Sequence, residues 1–412
     1  MTKIFFIYRK YGIRRNPVLF AFLLSVFSCT TPPADLDHLD LDKLDEQVIA
    51  LDVSVQAVHF DLTMETGDDA RIMPRTIDTA GNLVLVRPED WTSGFYPGLL
   101  WYMYELTGYD SWRKKAVFYT GLLENQMYNN SDHDVGFRMF CSYGNGFRIT
   151  GDSSYIPILI QSAKTLITRY KRNVGCIQSW DFNKDIWQCP VIIDNMMNLE
   201  LLFWASEQTG DPTYREVAVN HANTTLKNHF RSDFSSFHVV DYDTITGEVR
   251  GKYTHQGFSP ESAWARGQSW GLYGYTMCYR YTKDRRYLEQ AEGIANFLLN
   301  HPRLPKDRIP YWDYDAPRLR HEPRDASAAA IMASALYELS DYSMNGDIYR
   351  EKADWIMESL SSEDYRCPEN EKFGFLLDHS TGGLPQNTEI DVPLIYADYY
   401  YIEALLRRRA HQ

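Results

Sequence analysis

The chain repeats one short junction between helices several times. The segments YELTGYDSWRKKA (104–116), FRITGDSSYIPIL (147–159) and SEQTGDPTYREVA (206–218) each end one amphipathic run at a glycine and begin another near an aspartate. Looser copies lie at 279–291 and 343–353. Glycine commonly follows a helix C-terminus, and aspartate caps the N-terminus of a following helix. Because such tight junctions join antiparallel helices, the repeat predicts a chain built from helical hairpins.

The apolar periodicity predicts about twelve helices paired through these junctions. Their approximate spans are 41–65, 94–107, 111–127, 136–149, 153–172, 195–209, 212–229, 264–282, 285–300, 325–340, 347–360 and 394–409. Tight junctions alternate with long connections, which indicates six hairpins closed into an all-α toroid, an α/α barrel. One long loop, 237–253, alternates in polarity and turns at TITGE, which predicts a β-hairpin. We expect residues 41–412 to form a single domain.

The barrel geometry predicts where chemistry can occur. If all tight junctions lie at one end of the barrel, all long loops lie at the other end. Every second helix then begins at the end with the long loops and presents its positive dipole end there. Polar and aromatic residues cluster at these helix starts, namely Trp91, Asp134, Asp194, Arg266, Gln268 and Asp325. We therefore expect one cavity at the end with the long loops.

Two of these residues are candidate catalytic acids. Asp134 lies in SDHDVGF (131–137), and Asp194 follows an apolar lead-in in IIDNMMNLELLFWA (192–205). Each has an alternative role as a helix N-cap, and we assign that role to Asp325. Two carboxylates in one cavity repel each other, which favours one protonated form and suits a general acid. A helix N-terminus favours the anion instead, so the sequence does not give the net direction of either pKa shift.

Other residues are candidates for binding a sugar. They are Trp91, Trp180, His255, Arg266, Gln268 and Ser380. Aromatic faces stack on sugar rings, and an arginine can bind a carboxylate in two-pronged geometry. For Ser380 and its neighbour His379, solvated loop residues remain the alternative.

Composition excludes several classes of function. The formal net charge of −13 argues against a surface for nucleic acid or an anionic membrane. The chain contains no HExxH, P-loop or GxGxxG motif, and its cysteines lack metal-ligand spacing. We expect no metal and no cofactor. Cys176 and Cys189 fit either a disulfide or two free thiols.

The N-terminus has the pattern of an export signal. Five basic residues precede a short apolar run at 17–28, which is too short to span a bilayer. A serine precedes Cys29, as in bacterial lipoprotein cleavage sites. We expect a signal peptide at 1–28, lipidation at Cys29 and a tether at 29–40; a plain signal peptide is the alternative. The protein would then be exported and lipid-anchored, in the periplasm or on the outer surface of a Gram-negative bacterium.

Six fragments in order give the chain its family resemblance. They are WTSGFYPGLLW, HDVGF, IIDNMMNLELLFWA, WARGQSWGLYG, RDASAAAIMASAL and YADYYYIEALL. Together they resemble the unsaturated glucuronyl hydrolases, glycoside hydrolase family 88. The resemblance implies a six-hairpin barrel that removes the 4,5-unsaturated uronic acid left by polysaccharide lyases on glycosaminoglycan fragments. The chemistry is hydration of the double bond. The one departure noted is Ala397 in place of an expected glycine.

The resemblance also implies roles for individual residues. Asp194 would give a proton to C4 and activate water for C5, with Asp134 as its carboxylate partner. Other positions match family residues that bind the uronate or stack on the rings, and these are His133, Trp91, Trp180, His255, Arg266 and Gln268. Two alternatives remain open. One is an unsaturated rhamnogalacturonyl hydrolase acting on pectin fragments, and the other is a lipoprotein that only binds oligosaccharide.

Overall fold

The computed structural model describes residues 41–318, 321–369 and 371–412. The expected signal peptide at 1–28, the lipidation site Cys29 and the tether at 29–40 lie outside these residues. Within them, no helix is both long enough and apolar enough to cross a membrane.

Helices dominate the described part of the chain. They are α1 Leu41–Thr66, α2 Phe95–Thr107, α3 Asp110–Gly121, α4 Val135–Met139, α5 Asn145–Thr150, α6 Tyr155–Ile167, α7 Leu199–Thr209, α8 Pro212–Asn228, α9 Ala265–Thr282, α10 Arg285–Asn300, α11 Ala326–Ser340, α12 Gly346–Leu360 and α13 Ile395–Arg409. A π-helical turn, Phe140–Gly144, joins α4 to α5. A 3₁₀ helix, Ile193–Asn198, leads directly into α7.

Burial separates an inner ring of helices from an outer one. Helix α11 is buried at every position, and α2, α9 and α13 are buried over most of their length. By contrast, α6, α10 and α12 bury only one face. A helix that is buried all round needs neighbours on every side, which an α/α barrel provides for its inner helices. The predicted all-α barrel is confirmed, with α11 packed against α9, α12 and α13.

The tight junctions have the predicted geometry. Gly108, Gly151 and Gly210 follow α2, α5 and α7 with φ values of 73°, 68° and 72°. Lys283 takes the same left-handed conformation after α9. The carboxylate of Asp211 then accepts the N–H of Thr213 and caps α8. Each junction therefore ends an inner helix and starts an outer one.

In the described part of the chain, nine short strands lie in the connections between helices. They are β1 Met73–Ile77, β2 Leu83–Val86, β3 Tyr170–Lys171, β4 Cys176–Ile177, β5 Pro190–Ile192, β6 Val239–Tyr242, β7 Val249–Tyr253, β8 Ser380–Gly383 and β9 Thr388–Val392. The hairpin predicted over 237–253 is confirmed as β6 and β7, and β5 extends it to an antiparallel sheet of three strands. The pairs β1–β2, β3–β4 and β8–β9 were not predicted.

Three predicted helix boundaries were wrong. The span 136–149 is interrupted by the π-helical turn, and the span 111–127 ends at Gly121 before a separate 3₁₀ helix, Glu124–Tyr128. The span 153–172 ends at Ile167 because β3 pairs with β4 instead of continuing the helix. Cys176 and Cys189 are both buried free thiols.

The left-handed glycine junctions give a prediction about stability. Gly210→Ala should lower the free energy of unfolding by about 1–2 kcal/mol, because a Cβ at positive φ meets the local backbone. Space around the residue is open, so the cost comes from the backbone conformation alone. Urea denaturation measures the effect. Gly121→Ala, at the end of helix α3 and also in open space, is the control and should be neutral or stabilising. Equal effects of the two substitutions would contradict this account.

Candidate active site

A cavity of about 230 Å³ lies at the end of the barrel where the long loops meet. Its wall includes Trp91, Asp134, Trp180, Asp194, His255 and Arg266. These residues come from five separate connections or helix starts, and Asp134 and Asp194 are 60 positions apart in the chain. The structure thus brings six of the candidate residues to one place, as the barrel geometry predicted.

Asp194 lies in the first turn of the 3₁₀ helix Ile193–Asn198, immediately after β5. Only 8% of the residue is exposed, and its Oδ2 accepts no hydrogen bond from the described residues. Burial raises the pKa of Asp194 to about 7, although the positive charge of Arg266 opposes the shift. A carboxyl group with this pKa can both hold and release a proton near neutral pH.

Asp134 occupies the residue before α4, at the position of an N-cap. Its side chain makes no capping hydrogen bond within the described structure, so the cap role is not realised. Burial raises the pKa of Asp134 well above its usual value, and the negative charges of Asp132 and Asp194 act in the same direction. Burial raises the pKa of both acids, and the charge of Asp194 raises that of Asp134 further, so the two carboxylates resist being ionised together.

The neighbours of Asp134 have different electrostatic roles. Asp132 accepts two hydrogen bonds from the buried guanidinium of Arg138, at 3.1 and 2.9 Å, and one from the Asp134 backbone N–H. Burial would raise the pKa of Asp132, but Arg138 outweighs it and lowers that pKa. His133 lies fully buried behind Asp134, with Nε2 3.4 Å from Oδ1. Burial lowers the pKa of His133 to about 4, so its ring is neutral at pH 7.

His238 was not among the residues predicted from sequence. It lies just before β6, and its Nδ1 accepts the backbone N–H groups of His255 and Gln256 at 3.0 and 3.1 Å. Its Nε2 therefore carries the proton of the neutral ring and lies 3.8 Å from Asp194 Oδ2. Burial lowers the pKa of His238 well below its usual value. The predicted β-hairpin was the available signal, because it carries His238 next to the cavity.

Arg266 lines the cavity in a different way from the one predicted. Nη1 donates to Asp325 Oδ2 at 3.0 Å and to the Thr381 carbonyl at 2.6 Å, while Nη2 donates to the Gly382 carbonyl at 2.7 Å. Only 1% of Arg266 is exposed. A two-pronged grip on a substrate carboxylate through both Nη atoms would have to compete with these protein acceptors. Arg266 instead joins β8 to the start of α11, where Asp325 caps the helix as expected.

Two other candidates, Gln268 and Ser380, do not line the cavity. The Gln268 side chain accepts the N–H of Ser236 at 2.7 Å and donates to its carbonyl, so its polar atoms are already used. Ser380 is fully buried, and its Oγ accepts the N–H of Ser327 at the start of α11. Both side chains bind backbone groups of residues that are distant in the chain, and a local sequence pattern does not reveal such partners.

Aromatic side chains form two walls of the cavity. Trp91 packs against Phe137 and Tyr396, with ring centroids 5.7 and 5.1 Å apart. Trp180 stacks on Phe182 at 4.9 Å and contacts the ring of His255 at 5.1 Å. Tyr396 and Phe182, which the sequence analysis missed, also line the cavity. Such walls suit a sugar ring.

The mouth of the cavity is fixed by contacts between distant segments. Arg75, on β1, donates to Glu389 at 2.6 and 3.1 Å and to Asp90 at 2.8 Å. Gln256 donates to the Gly382 carbonyl at 3.1 Å. Arg75, Gln256 and Glu389 all line the cavity and were missed, because their partners are remote in sequence.

A larger cavity of about 660 Å³ lies at the opposite end of the barrel, and Phe137 borders both. Two of its acids, Glu200 and Glu403, are engaged with neighbouring groups. Glu200 pairs with Arg280, and Glu403 accepts hydrogen bonds from Tyr102 at 2.7 Å and Tyr273 at 3.1 Å. Across residues 41–318, 321–369 and 371–412, no group of three or more His, Cys, Asp or Glu side chains is arranged to hold a metal ion.

An α/α barrel with two buried acids and aromatic walls in one cavity defines a class of carbohydrate-active enzyme. Residues 71–275 match the model of Glycosyl Hydrolase Family 88. An unsaturated glucuronyl hydrolase of Formosa agariphila is 50% identical over 370 residues, which cover 89% of this chain and 92% of that protein. An unsaturated chondroitin disaccharide hydrolase of Streptococcus agalactiae is 37% identical, covering 77% and 81%. The chain belongs to glycosyl hydrolase family 88.

Solved structures agree with this assignment. An unsaturated glucuronyl hydrolase specific for heparin has a TM-score of 0.84 and 47% identity, over 90% of this chain and 97% of that one. An unsaturated glucuronyl hydrolase of Bacillus sp. GL1, responsible for the degradation of glycosaminoglycan, has a TM-score of 0.78 and 31% identity, over 88% and 96%. The family resemblance and the fold expected from the sequence are both confirmed.

The hydrogen bonds of Arg266 to Asp325, Thr381 and Gly382, which together form an arginine clamp, give a second prediction. Arg266→Met should lower the free energy of unfolding by about 3–5 kcal/mol, because it leaves the buried Asp325 charge and two carbonyl groups without their donor. Chemical denaturation monitored by circular dichroism measures this loss. Arg286→Met removes an exposed ion pair with Asp284 and is the control, with little expected change. A loss for Arg266→Met no larger than that of the control would show that the clamp contributes nothing to stability.

Proposed function

We propose that the protein removes a 4,5-unsaturated uronic acid from the non-reducing end of lyase-generated glycosaminoglycan fragments by hydrating the double bond. The observation that carries the proposal is the presence of Asp134 and Asp194 in one cavity, both buried and both with raised pKa values. Membership of glycosyl hydrolase family 88 supports it.

The chemistry needs an acid, a held water molecule and no covalent nucleophile. Protonated Asp194 gives its proton to C4 of the vinyl ether while water attacks C5 and loses a proton to the same carboxylate. Atoms balance as the addition of one water across the double bond. The resulting hemiketal opens and the other sugar leaves. His238 faces Asp194 with Nε2–H, so it can hydrogen-bond to the carboxylate when that group is ionised.

Asp134 and His133 assist Asp194 in the proposed reaction. Negative charge on one of the two acids disfavours ionisation of the other, so the pair keeps a proton available for the first step. Asp134 also accepts hydrogen bonds from sugar hydroxyls in this scheme. His133 supports Asp134 from behind, where it is buried beyond the reach of solvent.

The cavity supports a substrate with one anionic sugar ring at its end. Its volume is small, and Trp91 and Trp180 present aromatic surface on its walls. The buried charge of Arg266 attracts an anion even though its Nη atoms bind protein groups. The relatives named for chondroitin disaccharide and heparin support a glycosaminoglycan source for the fragment.

We also propose export and lipid anchoring at Cys29, with the enzyme in the periplasm or at the cell surface. The basic start, the short apolar run and the cysteine after Ser28 support this. Expression of Cys29→Ala in a Gram-negative host should release the protein from membranes into the soluble fraction, as measured by fractionation and by mass spectrometry of the N-terminus. Wild-type protein without a lipid on Cys29 would contradict the proposal.

Substitution of the acid tests the proposed reaction most simply. Asp194→Asn should fold normally and reduce kcat by about 10²–10⁴-fold, because the amide cannot donate a proton to C4. The assay follows the loss of ultraviolet absorbance of the unsaturated uronate. Asp185→Asn, an exposed aspartate in the loop after Trp180, is the control and should retain full activity. Unchanged turnover in Asp194→Asn would remove Asp194 from the mechanism.

The pKa of Asp194 predicts the pH dependence. An acid donates only in its protonated form, so kcat/KM should fall as the pH rises through a pKa of about 7. Rates on one disaccharide between pH 5 and pH 9, at constant ionic strength, measure this limb. A kcat/KM that stays constant up to pH 9 would contradict the proposed acid.

A panel of disaccharides separates the proposal from its rivals. Unsaturated chondroitin and heparin disaccharides should be turned over faster than an unsaturated rhamnogalacturonan disaccharide. The reverse preference would favour the rhamnogalacturonyl alternative. Saturable binding of every disaccharide without loss of absorbance would favour a protein that only binds oligosaccharide.

A further inference from the structure

The short helix Ile193–Asn198 carries three buried polar side chains toward the same place. Asp194 is the proposed acid, and Asn195 and Asn198 are each fully buried. A 3₁₀ helix has three residues per turn, so Asn195 and Asn198 lie on the same face. That face meets the segment His133–Phe137, which belongs to a different connection. The two asparagines did not figure among the candidates from sequence.

Asn198 is attached to the first turn of α4. Its Oδ1 accepts the backbone N–H of Phe137 at 3.1 Å. The approach is so close that a Cβ on Gly136 would lie 2.6 Å from Asn198 Oδ1 and 2.7 Å from its Cα, so only glycine fits there. This contact fixes the distance between the helix that carries Asp194 and the residue that follows Asp134.

The other end of the Asn198 amide faces the second acid. Nδ2 is buried and has no well-aligned hydrogen-bond partner among the described residues. Its contact with the Asp134 carboxylate lowers the pKa of Asp134, whereas burial has the larger effect and raises it. A buried amide N–H normally has a partner, and contacts in an empty site often tighten only when substrate binds. The ionised Asp134 carboxylate is the available acceptor.

The Asn195 amide is likewise fixed at one end by a backbone group and contacts His133 with the other end. Its Nδ2 donates to the Ile177 carbonyl at 2.8 Å, which fixes the amide plane. Its Oδ1 is buried without a well-aligned donor in the described part of the chain, and it interacts with the His133 ring. The backbone of His133 is held as well, through its N–H to the Ser179 carbonyl at 3.2 Å.

We propose that Asn195 and Asn198 are positioning residues that hold His133 and Asp134 in register with Asp194. Neither touches the reacting atoms. One short helix thus carries the acid and also the two amides that place its partner, although the partner arrives from a connection 60 residues earlier. This inference rests on the proposed function and extends it to residues with no part in the chemical steps.

Two variants of Asn198 test the proposal on the wild-type reaction. Asn198→Asp keeps the acceptor for Phe137 but replaces the donor toward Asp134 with an oxygen. Asn198→Ser is neutral and too short to reach Asp134. Both should reduce kcat/KM by about 10²-fold, since small misplacements of catalytic groups have effects of that size. At low pH the second acid of the pair is protonated as well and kcat/KM should fall, which gives the pH profile an acidic limb. Both variants should shift this limb to higher pH, because the Asp134 carboxylate loses a donor.

The shift of the acidic limb separates positioning from a general effect on folding. Asn145→Asp is the matched control, because Asn145 is also buried on an inner helix but donates to Cys141 and Tyr399 at the other cavity. Its profile should keep the wild-type shape. An unshifted acidic limb in both Asn198 variants, with melting temperatures that show folded protein, would overturn the proposal for Asn198.

Asn195→Ala tests the second amide separately. Loss of the contact with His133 should lower kcat several-fold with a smaller change in KM, because His133 supports Asp134 from behind and does not line the cavity. Unchanged kcat and KM would overturn the proposal for Asn195. A wild-type enzyme inactive on every unsaturated disaccharide would instead refute the proposed function, so the two failures are distinguishable.

Discussion

The structure depends on burying two carboxylates in one cavity without giving either its own cation. A buried carboxylate loses its hydration, and a protein normally compensates with a paired charge or the group stays protonated. The nearby guanidinium groups of the described chain are used elsewhere, since Arg138 binds Asp132 and Arg266 binds Asp325. The pKa values of Asp134 and Asp194 are therefore raised. In the proposed mechanism, the same burial that costs folding free energy makes a proton available to the substrate.

The barrel makes this arrangement possible because its tight junctions and its long connections lie at opposite ends. Tight glycine junctions such as Gly108 and Gly210 close one end and make the helical hairpins regular. The long connections at the other end carry the chemistry. Because the inner helices are packed on all sides, the residues at their starts are held to a small range of positions. The short 3₁₀ helix before α7 then carries Asp194 next to the face shared by Asn195 and Asn198.

Much of the fold could be predicted from sequence because its signals are local. A glycine with positive φ, a capping aspartate and a period of 3.6 residues each depend on a few neighbours, and they gave the helices, the junctions and the shared cavity. The contacts that sequence could not give depend on distant partners. Gln268 and Ser380 bind backbone groups in other elements, and Arg75 meets Glu389 across 314 positions. His238 was missed because a histidine beside a β-strand gives no local sign that it faces an acid.

The central claim is that a proton is added to the double bond of the unsaturated uronate, rather than water attacking the glycosidic carbon. Hydrolysis in D₂O, quenched early and analysed by mass spectrometry and NMR, tests this most directly. The account predicts one deuterium at C4 of the released uronic acid product, together with loss of the double bond at the same rate as sugar release. Release of the sugar with the double bond intact and no deuterium at C4 would contradict it.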